Sequence, residues 1–273
     1  MKKLVLALSA VAAFSAPALA ADLAPRPYTK APAPIAAPIT WTGCYIAGGG
    51  GGAYSKNDHN DVNGPAGLFG APGTPAGPNI TTGADGWFGT VGAGCDYQYN
   101  NFVVGIFGDY DFMDSKGDIS FDGTRTPLVT GSQKQDYQWA VGGRAGYLVL
   151  PQLLTYVSGG YTQAHWKDST LVGFVTPFGA SPSVIVPGST KGGWFIGTGD
   201  EYALGFLPGL FWKTEYRYAE FDRADVAVRF APGVPGIGGI STGFSSTEKF
   251  REHSVRSELV YRFNWGGPLV AKY

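Results

Sequence analysis

The chain has 273 residues, with 20 Lys and Arg against 21 Asp and Glu, so its formal net charge is −1. This balance leaves no basic excess that would favour binding of nucleic acid. Charged residues make up 15% of the chain and aromatic residues 14%, whereas a water-soluble surface normally carries more charge. The 42 glycines follow no G-X-Y period, which excludes collagen; they favour tightly packed, strongly tilted strands.

The N-terminus has the pattern of a secretory signal peptide. Two lysines precede the apolar run 4–14, and residues 18–20 (Ala-Leu-Ala) form a small-residue cleavage site. We therefore predict that residues 1–20 are removed, which takes two lysines away and leaves a formal charge of −3. The apolar run is too short for a transmembrane anchor, and no other stretch reaches the roughly 18 consecutive apolar residues that a spanning helix needs.

Residues 21–40 form a segment rich in proline and alanine, with five prolines at positions 25, 27, 32, 34 and 38. Prolines at this density favour polyproline II, a semi-rigid spacer without internal hydrogen bonds. A disordered periplasmic tail is the equally weighted alternative.

From Trp41 onward the sequence predicts β-strands. Eight segments show period-two patterning: 41–54, 83–99, 101–113, 135–149, 153–166, 193–206, 210–222 and 251–265. Three connections are tight turns: 99–101, 150–152 and 205–209. The others are long and rich in Gly, Pro, Ser, Thr, Asn and Asp: 55–82, 114–134, 167–192 and 223–250. Short turns that alternate with long loops are typical of outer-membrane barrels, with the short turns on the periplasmic side.

The last strands show why the sheet is predicted to face lipid. In the segment 210–218, Leu210, Trp212 and Tyr216 alternate with charged residues, and 255–265 repeats this pattern. Aromatic side chains on one face and charges of both signs on the other are the pattern of a barrel whose outer surface contacts lipid and whose lumen is polar. We predict an all-β, eight-stranded antiparallel up-and-down transmembrane β-barrel over residues 41–265, followed by a C-terminal extension, 266–273.

Several short motifs, in their order along the chain, resemble a known family. They are Trp41–Ile46 (WTGCYI), Gly94–Gln98 (GCDYQ), Asn101–Gly105 (NFVVG), Gly143–Tyr147 (GRAGY), Gly199–Ala203 (GDEYA), Lys213–Tyr218 (KTEYRY) and Tyr261–Phe263 (YRF). The set resembles the small outer-membrane β-barrels of alphaproteobacteria (porin-like, opacity and immunogenic proteins), relatives of the OmpA and OmpX type. The resemblance implies an antigenic outer-membrane protein without an assigned catalytic site; some relatives are described as porins and some as haem-binding surface proteins.

Period-two parity places a set of charged residues on the lumen face. The predicted lumen charge network comprises Asp109, Arg144, Glu201, Lys213, Glu215, Arg217, Arg256, Glu258 and Arg262. Buried carboxylates must be compensated by bases, and an eight-stranded barrel is just wide enough for side chains to fill it. We favour a structural network of ion pairs that fills the lumen; an ion path is the alternative.

Cys44 and Cys95 are the two cysteines of the chain. They fall on neighbouring antiparallel strands near the periplasmic end, and both face outward by parity. Because exported proteins mature in an oxidising compartment, we predict a cross-strand disulfide; two buried apolar thiols are the alternative. The three histidines, His59, His165 and His253, fall in or beside different external loops, so no metal site is expected.

We expect no cofactor and no catalytic role. The predicted function is that of an outer-membrane protein with a structural and surface-interaction role, exported by a cleaved signal peptide and acting as a monomer in contact with outer-membrane lipid. Its insertion would require the barrel-assembly machinery. The long external loops would be available for haem or for a host or surface ligand. A narrow porin for small solutes and a haem- or ligand-binding surface protein are the alternative functions.

Overall fold

The computed structural model describes residues 39–63, 71–75, 77, 79–121, 129–173, 175–176, 179–180 and 183–263. The predicted signal peptide, nearly all of the proline-rich segment and the C-terminal extension lie outside these residues. The described part of the chain contains no helix that is long and apolar enough to cross a membrane.

Every regular element in the described residues is a β-strand. The strands are β1 (Gly43–Asn63), β2 (Ile80–Tyr99), β3 (Phe102–Phe121), β4 (Val129–Leu150), β5 (Leu153–Trp166), β6 (Ser169–Gly173), β7 (Val175–Thr176), β8 (Gly179–Ala180), β9 (Val184–Val186), β10 (Ser189–Ala203), β11 (Leu210–Phe221), β12 (Ala224–Phe230) and β13 (Ser241–Phe263). This confirms the predicted all-β class.

Eight of the strands form a closed antiparallel sheet. Its order is β1-β2-β3-β4-β5-β10-β11-β13, so neighbours in the sheet follow one another along the chain. The sheet closes because β1 pairs with β13 on one side and with β2 on the other, from the pair Cys44–Phe263 to the pair Asn63–Phe244. Closure leaves no open edge, which a membrane-spanning sheet requires because lipid offers no hydrogen bonds to unpaired backbone groups. The predicted up-and-down arrangement is confirmed.

The predicted long loops are largely wrong, because the strands continue through them. β1 runs to Asn63, β3 to Phe121, and β13 begins at Ser241. On the other side of the ring, β6, β9 and β12 carry the sheet onward beyond short interruptions at 167–168, 187–188 and 222–223. β6 pairs with β4 and β9, and β12 pairs with β9 and β13, so the upper part of the sheet is also a ring.

Two belts of aromatic side chains bound the apolar outer surface. Near the short turns lie Tyr97, Tyr99, Phe102, Tyr147, Tyr202, Trp212, Tyr261 and Phe263, all at least 40% exposed. Trp87 on β2 and Phe112 on β3 belong to the second belt, each ten positions from an aromatic residue of the first, Tyr97 and Phe102. At about 3.4 Å per residue and a tilt of about 40°, ten residues span about 25 Å, the height of the lipid-facing band of outer-membrane barrels.

The barrel is therefore taller than the membrane. β3 continues for nine residues beyond Phe112, which corresponds to roughly 20–25 Å of height at the same rise and tilt. The three tight turns, around Asn100, Pro151 and Gly205, lie at the opposite end. Because short turns are periplasmic in such barrels, the tall end is the external one.

An outward charge in the middle of the apolar band should cost more than one above the second aromatic belt. Ile106 is 71% exposed in the middle of the apolar band, and Val172 is 59% exposed on β6, above it. We expect Ile106→Arg to lower the free energy of unfolding in lipid vesicles by about 2–4 kcal/mol, and Val172→Arg by less than about 1 kcal/mol. Urea titration of the two variants measures the difference; equal losses would contradict this placement of the membrane.

Candidate functional site

All nine charged residues predicted for the lumen are buried inside the barrel, none more than 9% exposed. They come from β3, β4, β10, β11 and β13, whose inward faces alternate with lipid-facing side chains. Two further inward carboxylates, Asp96 on β2 and Asp111 on β3, join them. Both lie on the polar face by parity, so the alternation already placed them in the lumen, but the predicted site did not include them.

The lowest group of charges lies just above the periplasmic end and consists of Asp96, Arg144, Glu201 and Arg262. Arg144 donates hydrogen bonds from Nε to Asp96 Oδ1 (3.0 Å) and from Nη1 to Glu201 Oε2 (2.8 Å). Arg262 reaches the same two carboxylates and donates from Nη2 to Glu201 Oε1 at 2.6 Å. Two guanidinium groups thus neutralise two carboxylates in a closed square, and these charge-assisted bonds are the strong class of hydrogen bonds.

Trp41 closes the periplasmic mouth beneath this square. Its side chain is fully buried, its ring centroid lies 4.8 Å from that of Phe211, and its Nε1 donates to the carbonyl of Pro151 at 3.3 Å. Arg262 Nη1 donates to the Trp41 carbonyl at 2.8 Å, and the guanidinium carbon lies 5.4 Å from the ring centroid. The first residue of the barrel is therefore tied to its last strand and to the charges above.

A second group of charges lies higher in the lumen. Arg217 donates from Nη1 and Nη2 to the two oxygens of Asp109 (3.0 and 2.8 Å) and from Nε to Glu215 Oε1 (2.9 Å). Arg256 donates from Nη2 to Asp111 Oδ2 at 2.9 Å and lies 3.3 Å from Asp109. The bidentate contact with Asp109 fixes the orientation of the Arg217 guanidinium and neutralises its charge.

The remaining charged members of the network lie between these two groups along the barrel. Lys213 and Glu258 lie directly opposite each other on β11 and β13 and form an ion pair. Tyr156 donates its hydroxyl proton to Glu215 Oε2 at 2.8 Å. Tyr156 lies inside the lumen, whereas Tyr161 of the same strand lies on the outer surface.

An aromatic layer lies above the charges. Its buried rings are Trp166, Phe195, Phe221 and Phe250. Trp166 stacks on Phe250 with ring centroids 4.1 Å apart, and the Arg217 guanidinium lies 4.3 Å from the centroid of Phe195. The cation–π contact links the aromatic layer to the charged groups below it.

His59 lies inside the barrel, not in an external loop as predicted. It is five residues beyond Tyr54, above the apolar band, with Nδ1 3.7 Å from Glu248 Oε1 and Nε2 3.0 Å from Thr82 Oγ1. Burial, together with the nearby Lys191, lowers the pKa of His59 to about 4, so the imidazole is uncharged at neutral pH. Lys191 donates to Glu248 Oε2 at 2.6 Å.

The other two histidines lie on the outer surface of strands: His165 is beside the interruption after β5, as predicted, whereas His253 lies inside β13 and not beside a loop. His165 pairs with Asp136 at 2.6 Å, and His253 lies 2.7 Å from the hydroxyl of Tyr216. Within the described residues, no group of three or more His, Cys, Asp or Glu side chains is arranged to hold a metal ion.

The external end of the lumen is filled by aliphatic side chains. Val184 and Val186 of β9 and Val226 and Val228 of β12 pack with the inward residues of the neighbouring strands. This apolar cluster also contains Ile119, Val129, Leu171 and, at its margin, Phe230. The sequence placed several of these residues in loops and so did not predict a core at this height.

The two cysteines lie on the lipid-facing surface near the periplasmic end. Cys44 of β1 and Cys95 of β2 are directly opposite partners in the antiparallel register. Their sulfur atoms are bonded, at 2.07 Å, so the two strands are also joined covalently.

The sequence is similar to that of a named outer-membrane protein along nearly its whole length. No family model matches the chain. It is 29% identical over 278 aligned positions to the 31 kDa outer-membrane immunogenic protein of Brucella melitensis, covering 96% of this chain and 100% of that protein, with the same values for the Brucella suis protein. The chain is an outer-membrane β-barrel protein. This confirms the predicted resemblance and the predicted location in the outer membrane.

Solved structures of other outer-membrane proteins are more distant in sequence. OprG of Pseudomonas aeruginosa aligns with a TM-score of 0.48 at 12% identity, covering 81% of this chain and 97% of that one. The outer-membrane protein AlkL aligns with a TM-score of 0.40 at 15% identity, covering 86% and 97%.

Removal of one carboxylate from the lumen should destabilise this outer-membrane barrel more than removal of an exposed one. Glu215 is 2% exposed and accepts bonds from Arg217 and Tyr156, so Glu215→Ala leaves a buried guanidinium undercompensated. We expect a loss of about 3–5 kcal/mol in the free energy of unfolding. The control is Asp114→Ala, which breaks the exposed contact with Lys134 (2.7 Å) and should cost at most about 1 kcal/mol. Unfolding in urea compares them; an unchanged Glu215→Ala barrel would contradict the network.

Loss of the disulfide should reduce stability without opening the sheet. The bond closes a loop with a sequence separation of 51, for which chain entropy gives about 4 kcal/mol, with measured values usually about 2–4 kcal/mol. Cys95→Ala should therefore still fold, and its gel mobility should change on heating as that of the parent does. It should unfold at a lower urea concentration than the parent. Thiol labelling of the denatured, unreduced parent should detect no free cysteine; two reactive thiols would show that the bond does not form.

Proposed function

We propose that this protein is a closed outer-membrane barrel that serves a structural and surface-interaction role, with a lumen filled by side chains and an external end available for binding. The observation that carries the proposal is the series of layers inside the barrel. From the periplasmic side these are Trp41, two groups of ion pairs, the aromatic layer and the aliphatic cluster.

The contacts within these layers favour a packed lumen over an ion path. An ion that crossed the barrel would have to displace Trp41, which packs on Phe211 and is held by Arg262. Higher up, it would have to separate Arg217 from Asp109, and then pass an aliphatic cluster that offers no ligand. Breaking paired charges in a buried site exposes each to the cost of desolvation, so the charges stabilise the filled lumen.

The external end supports the surface-interaction part of the proposal. The barrel continues well above the apolar band, and the connection between β12 and β13 presents Ile237 and Ile240, which are 37% and 56% exposed. Exposed apolar side chains on a rigid support favour contact with a partner. The immunogenic character named for the Brucella proteins also fits a barrel whose external end is accessible.

Single-channel recording tests the closed lumen. The mature protein, refolded and checked by its heat-shifted gel mobility, should give no conductance steps in planar bilayers. The reason is that the described side chains lie across the path: Glu215 and Asp109 are engaged by Arg217, and the aliphatic cluster packs inside the external end.

A matched variant distinguishes a pore from leakage around the protein. If the parent gives reproducible steps, Glu215→Gln should change their size or ion selectivity, and the protein is then a narrow porin. Steps unaffected by Glu215→Gln would be a bilayer artefact. Capture of haem at the external end is the other alternative, and a spectral shift on haem titration into the folded protein would favour it.

A further inference from the structure

An apolar groove lies on the outer surface of the barrel, at the level of the second aromatic belt. It has a volume of about 420 Å³ and runs across β2, β1, β13 and β11. Gly52 and Val255 form its floor, Trp87 and Tyr216 its walls, and Tyr54 and His253 its external rim. This volume is within the range of small-molecule and lipid-sized sites, and the groove opens toward the membrane.

The groove exists because Gly52 has no side chain between two aromatic walls. Gly52 pairs with Trp87 on β2 and with Val255 on β13, and Trp87 is 79% exposed. A Cβ at Gly52 would lie 3.7 Å from the Trp87 ring. A larger side chain at this position would therefore occupy the groove. On the other wall, Tyr216 is held by His253, whose Nδ1 lies 2.7 Å from the tyrosine hydroxyl.

Two cations lie directly above the rim of the groove. Lys56 follows Tyr54 on the outward face of β1, and its partner in the register on β13 is Arg251. Like charges in directly opposite positions are unfavourable unless they are compensated. Arg251 is compensated by Asp58 (2.7 Å) and Glu220 (3.7 Å). Lys56 is exposed and forms no ion pair with any described residue.

The groove also has one carboxylate near its rim. Asp85 on β2 lines the external end of the groove, and its partner in the register on β3 is Lys116. Lys116 forms its ion pair with Asp114, at 3.4 Å, and Asp85 forms no ion pair with any described residue. Lys56 is the cation without an ion pair on the β1–β13 side of the groove.

We propose that this groove binds one acyl chain of a phosphorylated glycolipid of the outer leaflet, and that Lys56, assisted by Arg251, binds a phosphate of its headgroup. The order of features along the barrel matches such a lipid: an apolar slot at the upper boundary of the band, aromatic side chains that line it, and a cation above. An ammonium group is a general binder of phosphate. A phosphorylated lipid supplies the opposite charge and the apolar chain in one molecule. The proposal concerns the outer surface and is independent of whether the lumen conducts.

Native mass spectrometry of the refolded mature protein in zwitterionic micelles tests the proposal. The probes are diphosphorylated lipid A, the same lipid without phosphates, and inorganic phosphate.

The variants are Lys56→Gln, which removes the charge, and Gly52→Leu, which fills the groove. Gly52→Ala is a milder change to use if the leucine variant does not fold. The controls are Lys167→Gln and Ala145→Leu, exposed positions on the opposite side of the ring. Heat-shifted gel mobility verifies folding.

We expect one tightly bound lipid A per barrel. Lys56→Gln should weaken its binding about tenfold, a loss typical of one charge-assisted contact. Gly52→Leu, which fills the groove, should reduce binding at least as much. The lipid without phosphates should bind to the parent as weakly as lipid A binds to Lys56→Gln. Both control variants should bind lipid A like the parent.

Several results would overturn the proposal. Equal losses for Lys56→Gln and Lys167→Gln would show non-specific adsorption of anionic lipid, and full binding to the filled groove would show that the chain is not recognised. Binding of inorganic phosphate that is equally sensitive to Lys56→Gln would identify a free-phosphate site. A dimer that Gly52→Leu dissociates would identify a second copy as the occupant.

Discussion

Pairing of the first strand with the last is the constraint on which the rest of the molecule depends. β1 and β13 pair along their whole shared length, including the part above the membrane. A closed sheet in lipid must satisfy every backbone group internally, and closing eight strands leaves an interior that only side chains can fill. The buried charges, the aromatic layer and the aliphatic cluster are consequences of that narrow interior.

Charge inside such a tube is tolerated because opposite charges come from different strands. Asp96, Glu201 and Arg262 belong to β2, β10 and β13, so their ion pairs cross the lumen and hold its walls at a fixed distance. Phe107 shows the same principle without a carboxylate, since its ring lies 5.7 Å from the Arg217 guanidinium and 6.1 Å from Phe195. Acidic and aromatic partners thus share the cations.

The sequence predicted the part of the barrel that lipid surrounds, because only there must one face be apolar and the other polar. Segments such as 210–218 show this alternation directly. Above the membrane both faces contact water or a mixed interior, and the alternation disappears. The run 57–61 (Asn-Asp-His-Asn-Asp) has the composition of a turn, yet all five residues pair with β13 and the first three also pair with β2. Tertiary pairing overrides local propensity there, so the aliphatic cluster could not be predicted.

The extension of the sheet beyond the membrane has a consequence for recognition by antibodies. Outward residues on the raised wall come from strands distant in the chain; Asp58 and Arg251, for example, are held 2.7 Å apart. A binding surface on this wall is discontinuous in sequence and exists only while the ring is closed. Immune sera raised against the native barrel would therefore be directed largely at conformational epitopes, which linear peptides and heat-denatured antigen reproduce poorly.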